Sequence, residues 1–326
     1  MIVPTYWSEA RKQHRQNGKQ VTIRRFGWSD ISESEAAAMA ESRASEALAR
    51  RLKGQRLPQR DQKVAYGGAS GIPIREEILG RQNDVVITRN GYGARCLNTP
   101  DVLFADVDFQ SAASIKAKLL LFFALAVAAV FVGGLLPSRA WVMAIIFVSF
   151  IITSPLADLI HRLQQRLLGG PEKIVKKRIL RFLAKRSTWN LRLYRTPAGL
   201  RILATHQPFL PTEEVVQEFF RAVGADPVYV KMCLNQHCFR ARLTAKPWRI
   251  GIRSRMKPRP GVWPVRPERM AERAQWIATY EEKAKAFASC TFLEAVGSGA
   301  IHPKVAPVIA LHDKESRATI QGNAVA

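Results

Sequence analysis

Acidic side chains are scarce in this chain. Its 326 residues hold 26 Asp and Glu against 50 Lys and Arg, a formal net charge of +24. A surface so charged repels cations and favours polyanions: nucleic acid, nucleotides or anionic lipid headgroups. Cysteine is scarce too. Cys96, Cys233, Cys238 and Cys290 form no spacing framework, which excludes a small disulfide scaffold and makes reduced thiols the expectation. Met1–Gln13 has no apolar run of the kind an export signal carries, so export is not expected. No internal repeat is present, which excludes solenoids and propellers.

Charge is missing altogether from two stretches, Leu119–Leu136 and Ala140–Ala157, 18 residues each. As a helix, each spans about 27 Å, close to the roughly 30 Å hydrocarbon core of a bilayer. Lipid offers no partners to backbone amides, so both stretches are expected to be helical. Pro137, Ser138 and Arg139 between them suit a tight antiparallel hairpin. Lys116 and Lys118 precede the pair, and His161, Arg162, Arg166, Lys173, Lys176, Lys177 and Arg178 follow it. The positive-inside rule then places both flanks and both termini in the cytoplasm, with Trp141 at the outer interface. The expectation is a multi-pass protein of the inner (cytoplasmic) membrane, with the lipid bilayer as one partner. The alternative is a buried hairpin in a soluble core.

About 280 residues remain, enough to bury a sizeable core. Val21–Phe26 reads as a strand, preceded by a polar basic stretch. Ser32 and Glu35 form a capping-box pattern that opens a helix to about Leu52. Residues 57–71 read as a loop around Gly67–Gly68. Asp84–Thr88, Gly93–Leu97 and Val102–Phe109 read as strands, with Asn90–Gly91 turning the first into the second. Gly169–Gly170 ends a helix, and Pro171–Lys185 is basic and amphipathic. Leu191–Thr196 and Leu200–Thr205 form a hairpin about Pro197–Ala198–Gly199. Thr212 caps a helix that Gly224 ends. Val228–Leu234 is ambiguous. Phe239–Thr244 and Trp248–Ile252 read as strands, Lys257–Arg266 as a proline-rich linker, Pro267–Phe292 as a long helix, and Val308–Leu311 as a last strand. The tail from Arg317 is expected to fray.

Strands and helices mix without strict βαβ alternation, so the fold class is α+β with a mixed or antiparallel sheet. The strands of Asp84–Phe109 and Leu191–Thr205 are expected to share that sheet, with the membrane hairpin as a long crossover. Four segments follow: a cytosolic N-terminal part over 1–113, the transmembrane hairpin with its extension over 114–168, a part completing the sheet over 169–256, and linker, helix and tail over 257–326.

Asp106 and Asp108 end the apolar run Val102–Phe104. Residues i and i+2 of a strand share a face, and two carboxylates there resist joint ionisation unless a cation shares them. Oxygen ligands of this kind suit Mg²⁺ or Mn²⁺; the alternative is a solvated strand end. Arg192, Arg195 and Arg201 surround the Pro197–Gly199 turn, and His206 closes that hairpin. Guanidinium groups clamp phosphate bidentately; the alternative is a basic hairpin facing solvent. Cys233, His237 and Cys238 offer three of four zinc ligands, with His206 or His302 to complete them; the alternative is buried thiols. Cys238–Arg255 interleaves Arg and Lys with Phe239 and Trp248. Aromatics so placed stack bases while the cations hold phosphates; the alternative is an amphipathic strand pair. His312–Asp313 has the makings of a general base, with no nucleophile near it in sequence.

The stretch VLFADVDF resembles the metal-binding motif of the archaeo-eukaryotic primase–polymerase superfamily, an apolar strand ending in Asp-x-Asp. TPAGLRILAT is similar to that superfamily's second motif, a Thr-Pro-x-Gly turn leading into a strand with a basic phosphate-contacting residue. The resemblance implies an RRM-like palm, catalytic Asp106 and Asp108 holding Mg²⁺ or Mn²⁺, and nucleotidyl transfer. It sets Arg201 where the family usually has a histidine. The family's third carboxylate has no counterpart in FRARLTAKPWRIGIR, and Asp313 is a distant stand-in. A palm that no longer catalyses but still binds nucleotide or nucleic acid therefore fits as well as an active one. The expected function is metal-assisted binding of nucleotide or nucleic acid at the membrane. The rival is a non-enzymatic scaffold for protein partners or anionic lipid.

Overall fold

The computed structural model describes residues 4–16, 18–61, 72–73, 75–135, 140–259 and 263–326. The Pro137–Arg139 turn, most of the 57–71 loop with Gly67–Gly68, and part of the 257–266 linker lie outside the described residues. The chain forms two compact units, one of residues 1–107 with 186–326 and one of residues 108–185.

The larger unit begins with β1 (Tyr6–Gln16) and β2 (Lys19–Ser29), an antiparallel ribbon of 11 residues a side. β1 was not expected from its polar sequence. A two-stranded ribbon with one covered face needs few apolar residues, and here that face packs on α1 (Glu33–Leu52) through Ala10, Ala40 and Ala44. The Ser32 hydroxyl caps α1 as expected, accepting from the Glu35 amide at 3.1 Å. The Glu35 carboxylate does not close the box; it accepts from the Ser29 hydroxyl at 2.7 Å and ties the helix to the ribbon. Gly27 permits the close approach of strand and helix. A Cβ there would lie 2.1 Å from the Ala36 carbonyl oxygen and 2.3 Å from the Ala40 nitrogen.

Next come β3 (Glu77–Gln82), β4 (Val85–Arg89) and β5 (Arg95–Thr99), an antiparallel meander. Asn90 makes the expected β4–β5 turn, its side-chain oxygen accepting from the Tyr92 and Ala94 amides. The next strand, β6 (Phe104–Asp108), joins a different sheet.

In the smaller unit, α2 (Ile115–Gly134) and α3 (Ala140–Leu167) are long and apolar enough to cross a membrane. They pack on one another and bury small residues, Ala129 and Gly133 on one and Ser149, Thr153 and Ala157 on the other, as closely packed helices in lipid do. Phe123, Phe131, Phe147 and Phe150 stay exposed, an apolar expanse that water disfavours. Lys118 meets Asp158 at 3.1 Å at the charged end of the pair. Then α4 (Pro171–Leu183) begins at Pro171 as expected and buries Val175, Ile179 and Phe182.

The larger unit resumes with the hairpin β7 (Asn190–Arg195) and β8 (Gly199–Ala204). In α5 (Glu214–Val223) the N-cap is Glu213, not Thr212, and its carboxylate accepts from the Leu210 amide at 2.7 Å. The ambiguous segment is α6 (Pro227–Gln236), capped by Asp226, and β9 (Phe239–Arg242) follows it. Trp248–Ile252 is not a strand. Pro247 has no amide for a ladder, and Pro247–Ile250 forms a single 3-10 turn closed by Gly251 at φ 76°.

The expected long helix is also shorter. It is α7 (Met270–Ala284), followed by β10 (Phe287–Ala288) and β11 (Thr291–Gly297). No Gly or Pro marks that break; β7 captures the segment, with a bulge between Phe292 and Glu294. Val308–Leu311 lies inside α8 (Ala306–Ser316), because four apolar residues cannot separate a strand from a helix. The tail does not fray. β12 (Ala324–Val325) pairs with β10, and Ala326 is buried with Tyr280 and Ala245.

The expected α+β class, with antiparallel pairing, is what the chain has. Its strands do not form one sheet across 84–109 and 191–205. β3-β4-β5-β9 make one four-stranded sheet and β6-β8-β7-β11 another. β5 finds its partner in β9, which leaves β6 to pair with β8, where the Leu103 carbonyl accepts from the Ala204 amide at 3.0 Å. β11 lies outside β7, whereas an RRM-like sheet of the split βαβ kind sets its last strand beside its first.

Candidate functional site

Tyr194 stands opposite Arg201 in the β7–β8 register. Strand alternation therefore puts Arg192, Tyr194 and Arg201 on one face and Arg195 on the other. The three arginines do not surround one anion. Arg201 is 2% exposed and lies bidentate on Asp106, Nε to Oδ1 at 2.8 Å and Nη2 to Oδ2 at 3.2 Å. Its Nη1 donates to the Arg242 carbonyl at 2.8 Å and lies 3.4 Å from His312 Nε2. His312 Nδ1 is 3.1 Å from Asp313 Oδ1, and Asp313 Oδ2 is 2.6 Å from Arg192 Nη2. Arg192 Nε donates to the Tyr194 hydroxyl at 2.8 Å. One polar chain thus runs from Asp106 through the core to Arg192.

Two expected site residues, Asp106 and Arg201, do meet, but on each other. A guanidinium on both oxygens already neutralises the Asp106 carboxylate, and a divalent ion there would face that like charge at close range. Asp106 therefore does not fit Mg²⁺ or Mn²⁺ while Arg201 holds it. Asp108 is exposed at the end of β6. Among the described residues, no three His, Cys, Asp or Glu converge as a metal site. Arg195 is half-buried. His206 packs against Trp189 and Phe209, and its Nδ1 accepts from the Asn190 amide at 3.3 Å. Burial lowers its pKa, which keeps the imidazole neutral. Cys233 and Cys238 are buried while His237 is exposed. Burial pushes Cys238 up to about 11 and raises Cys233 well above its ordinary value; the two thiols and the exposed His237 are not among any converging metal-ligand group of the described residues.

No nucleophile adjoins His312 in sequence, yet Cys290 Sγ lies 3.8 Å from His312 Nε2. The thiol, imidazole and Asp313 carboxylate form a line of the kind that activates a cysteine. Burial would raise the Cys290 pKa, but His312 and Arg201 hold it down; burial would lower that of His312, but Cys290 and Asp313 hold it up. Both side chains are fully buried. Burial would also raise Asp313, but hydrogen bonds from His312 and Tyr194 and the charges of His312 and Arg192 keep it below its ordinary 3.8. Its stabilising contribution is therefore complete above that value and is lost as pH falls through the depressed one. Asp313→Asn should flatten the acid limb of a plot of melting temperature against pH. An acid limb parallel to that of the wild type would show that Asp313 is not held this way.

A different feature of the same unit is open. A cleft of about 700 Å³ is lined by Tyr92, Trp248, Arg253, Arg255, Met256 and Arg259, among others, with no acidic residue among the described ones. The Asn90 turn presents Tyr92, and the 3-10 turn after Pro247 presents Trp248. The two rings meet edge-on at 5.2 Å. Trp248 is 57% exposed, and Lys246 Nζ lies 5.5 Å over its ring. The three arginines are exposed. Trp248, Arg253 and Arg255 belong to the stretch singled out for its interleaved aromatics and cations; Tyr92 does not, and only the fold brings it there. No protein-family model matches this chain, and neither a curated protein nor a solved structure matches it.

Proposed function

We propose that this is a membrane-held protein whose basic cytoplasmic unit binds single-stranded nucleic acid in the Tyr92–Trp248 cleft. The observation that carries the reading is an exposed indole with a neighbouring phenol ring, walled by three arginines and, among the described residues, no carboxylate. Every base has a π-face, and stacking on an aromatic side chain is worth about 1–3 kcal/mol. Exposed guanidiniums follow the phosphates, and the net charge of +24 draws the polyanion in. The two long apolar helices supply the anchor, and the Lys and Arg at their flanks favour a cytoplasmic larger unit. Nucleotidyl transfer is not part of the proposal, because Arg201 occupies Asp106.

The test is the affinity of a labelled oligonucleotide, measured against salt, for the chain in nanodiscs of neutral lipid. Trp248→Ala should weaken binding about tenfold or more. Replacing Arg253, Arg255 and Arg259 by Ala should flatten the salt slope by about 2, at about 0.7 per phosphate contact. Wild-type affinity in both variants would rule the cleft out and leave the non-enzymatic anchor.

A further inference from the structure

Toward its tip, the β1–β2 ribbon has a second face that α1 does not cover; nearer the base, Arg43 of α1 lies over Trp28 and Arg75 lies over Phe26 on that face. The register sets Arg11 opposite Arg24, Gln13 opposite Thr22 and Arg15 opposite Gln20. Alternation along each strand brings these six to one side. Ala10 and Lys12 point to the other, where Lys12 meets Glu41 of α1 at 2.6 Å. On the open side Arg11, Gln13, Arg15 and Gln20 are exposed, and Thr22 and Arg24 are half-buried. Among the described residues, Glu9 lies 3.5 Å from Arg24, and Asp61, paired with Arg25 and Arg43, has its amide beside the Arg24 carbonyl; both are away from the ribbon's tip.

We propose that this face docks duplex DNA by entering the major groove. Three observations favour that occupant. The open stretch, Arg11–Arg15 with Gln20–Arg24, extends about 17 Å, and a two-stranded ribbon fits a groove about 12 Å wide. The open face carries guanidiniums, amides and a hydroxyl, the groups that read base edges: Arg to guanine, Gln to adenine, Thr to either. Its charge complements phosphate, and α1, set close by Gly27, holds the ribbon in shape before any partner arrives. A-form RNA has a deep, narrow major groove that side chains cannot read, which points to DNA over double-stranded RNA. The proposal does not depend on the cleft.

The experiment compares a DNA duplex about two turns long, the RNA duplex of the same sequence and a single strand. All are titrated into the full chain in neutral nanodiscs. Arg11→Ala with Arg15→Ala should lower DNA-duplex affinity about tenfold or more and leave single-strand affinity unchanged. Trp248→Ala should do the reverse, so failure of the cleft and failure of the ribbon are distinguishable. The RNA duplex should bind about tenfold more weakly than DNA. Gln13→Ala should keep the wild-type melting temperature and alter the preferred sequence in a selection from random duplexes. The proposal is overturned if the arginine pair leaves DNA affinity intact, if RNA and DNA duplexes bind alike, or if the substitutions weaken attachment to anionic vesicles instead.

Discussion

Arg201→Ala should lower the unfolding free energy of the larger unit by about 3–5 kcal/mol, the usual effect of removing one partner from a buried ion pair. The guanidinium makes two bonds to Asp106, donates to the Arg242 carbonyl and borders His312. Alanine removes all of these together and opens a cavity where one of the largest fully buried side chains stood. Asp106→Asn should cost less, since the Asp106 side chain is 28% exposed and water can reach it. The informative comparison is the double variant Arg201→Met with Asp106→Leu. An apolar pair of similar volume should recover most of the loss, because no charge is then left alone. Denaturant unfolding followed by tryptophan fluorescence measures each variant. If Arg201→Ala matched the wild type, the polar chain from Asp106 to Arg192 would not hold the sheet to α8.

Gly27→Ala should destabilise by about 3 kcal/mol, at the upper end of what overpacking costs. The added methyl would lie 2.1 Å and 2.3 Å from backbone atoms of α1. Backbone cannot rotate aside as a flexible side chain can, so the helix must retreat from the ribbon. Gly80→Ala is the control: its Cβ meets nothing within 4 Å, and the change should stay within about 0.5 kcal/mol. Hydrogen exchange localises the effect. Amides of β1 and β2 should lose protection in Gly27→Ala while those of β7 and β8 keep theirs. Uniform loss across both would place the damage elsewhere.

Local chemistry made much of the fold legible. The uncharged runs announced α2 and α3, Ser32 announced α1, Asn90 the β4–β5 turn, and Pro197–Gly199 the β7–β8 hairpin. What failed was set by distant partners. β1 is polar because only one of its faces is covered. β11 is a strand because β7 accepts it, and the tail is ordered because β10 does. The candidate site shows the same division. Asp106 and Arg201 were each identifiable as charged groups with a task, but only the sheet register reveals that they neutralise each other. Cys290 meets His312, and Tyr92 meets Trp248, through packing that no spacing rule encodes.

The sheet of β6, β8, β7 and β11 has a bearing on biogenesis. β6 leaves the ribosome first, and its neighbour β8 follows only after α2, α3, α4 and β7. Those intervening residues, 109–198, about ninety, take several seconds to make at about 5–20 residues per second. Phe104 and Val107 must wait that long for their partners, whereas the two greasy helices can be taken up as soon as they emerge. On the proposal that these helices are membrane spans, insertion precedes closure of the larger unit's core, and a mutation that delays uptake should expose an unpaired strand edge to aggregation well before it affects any ligand.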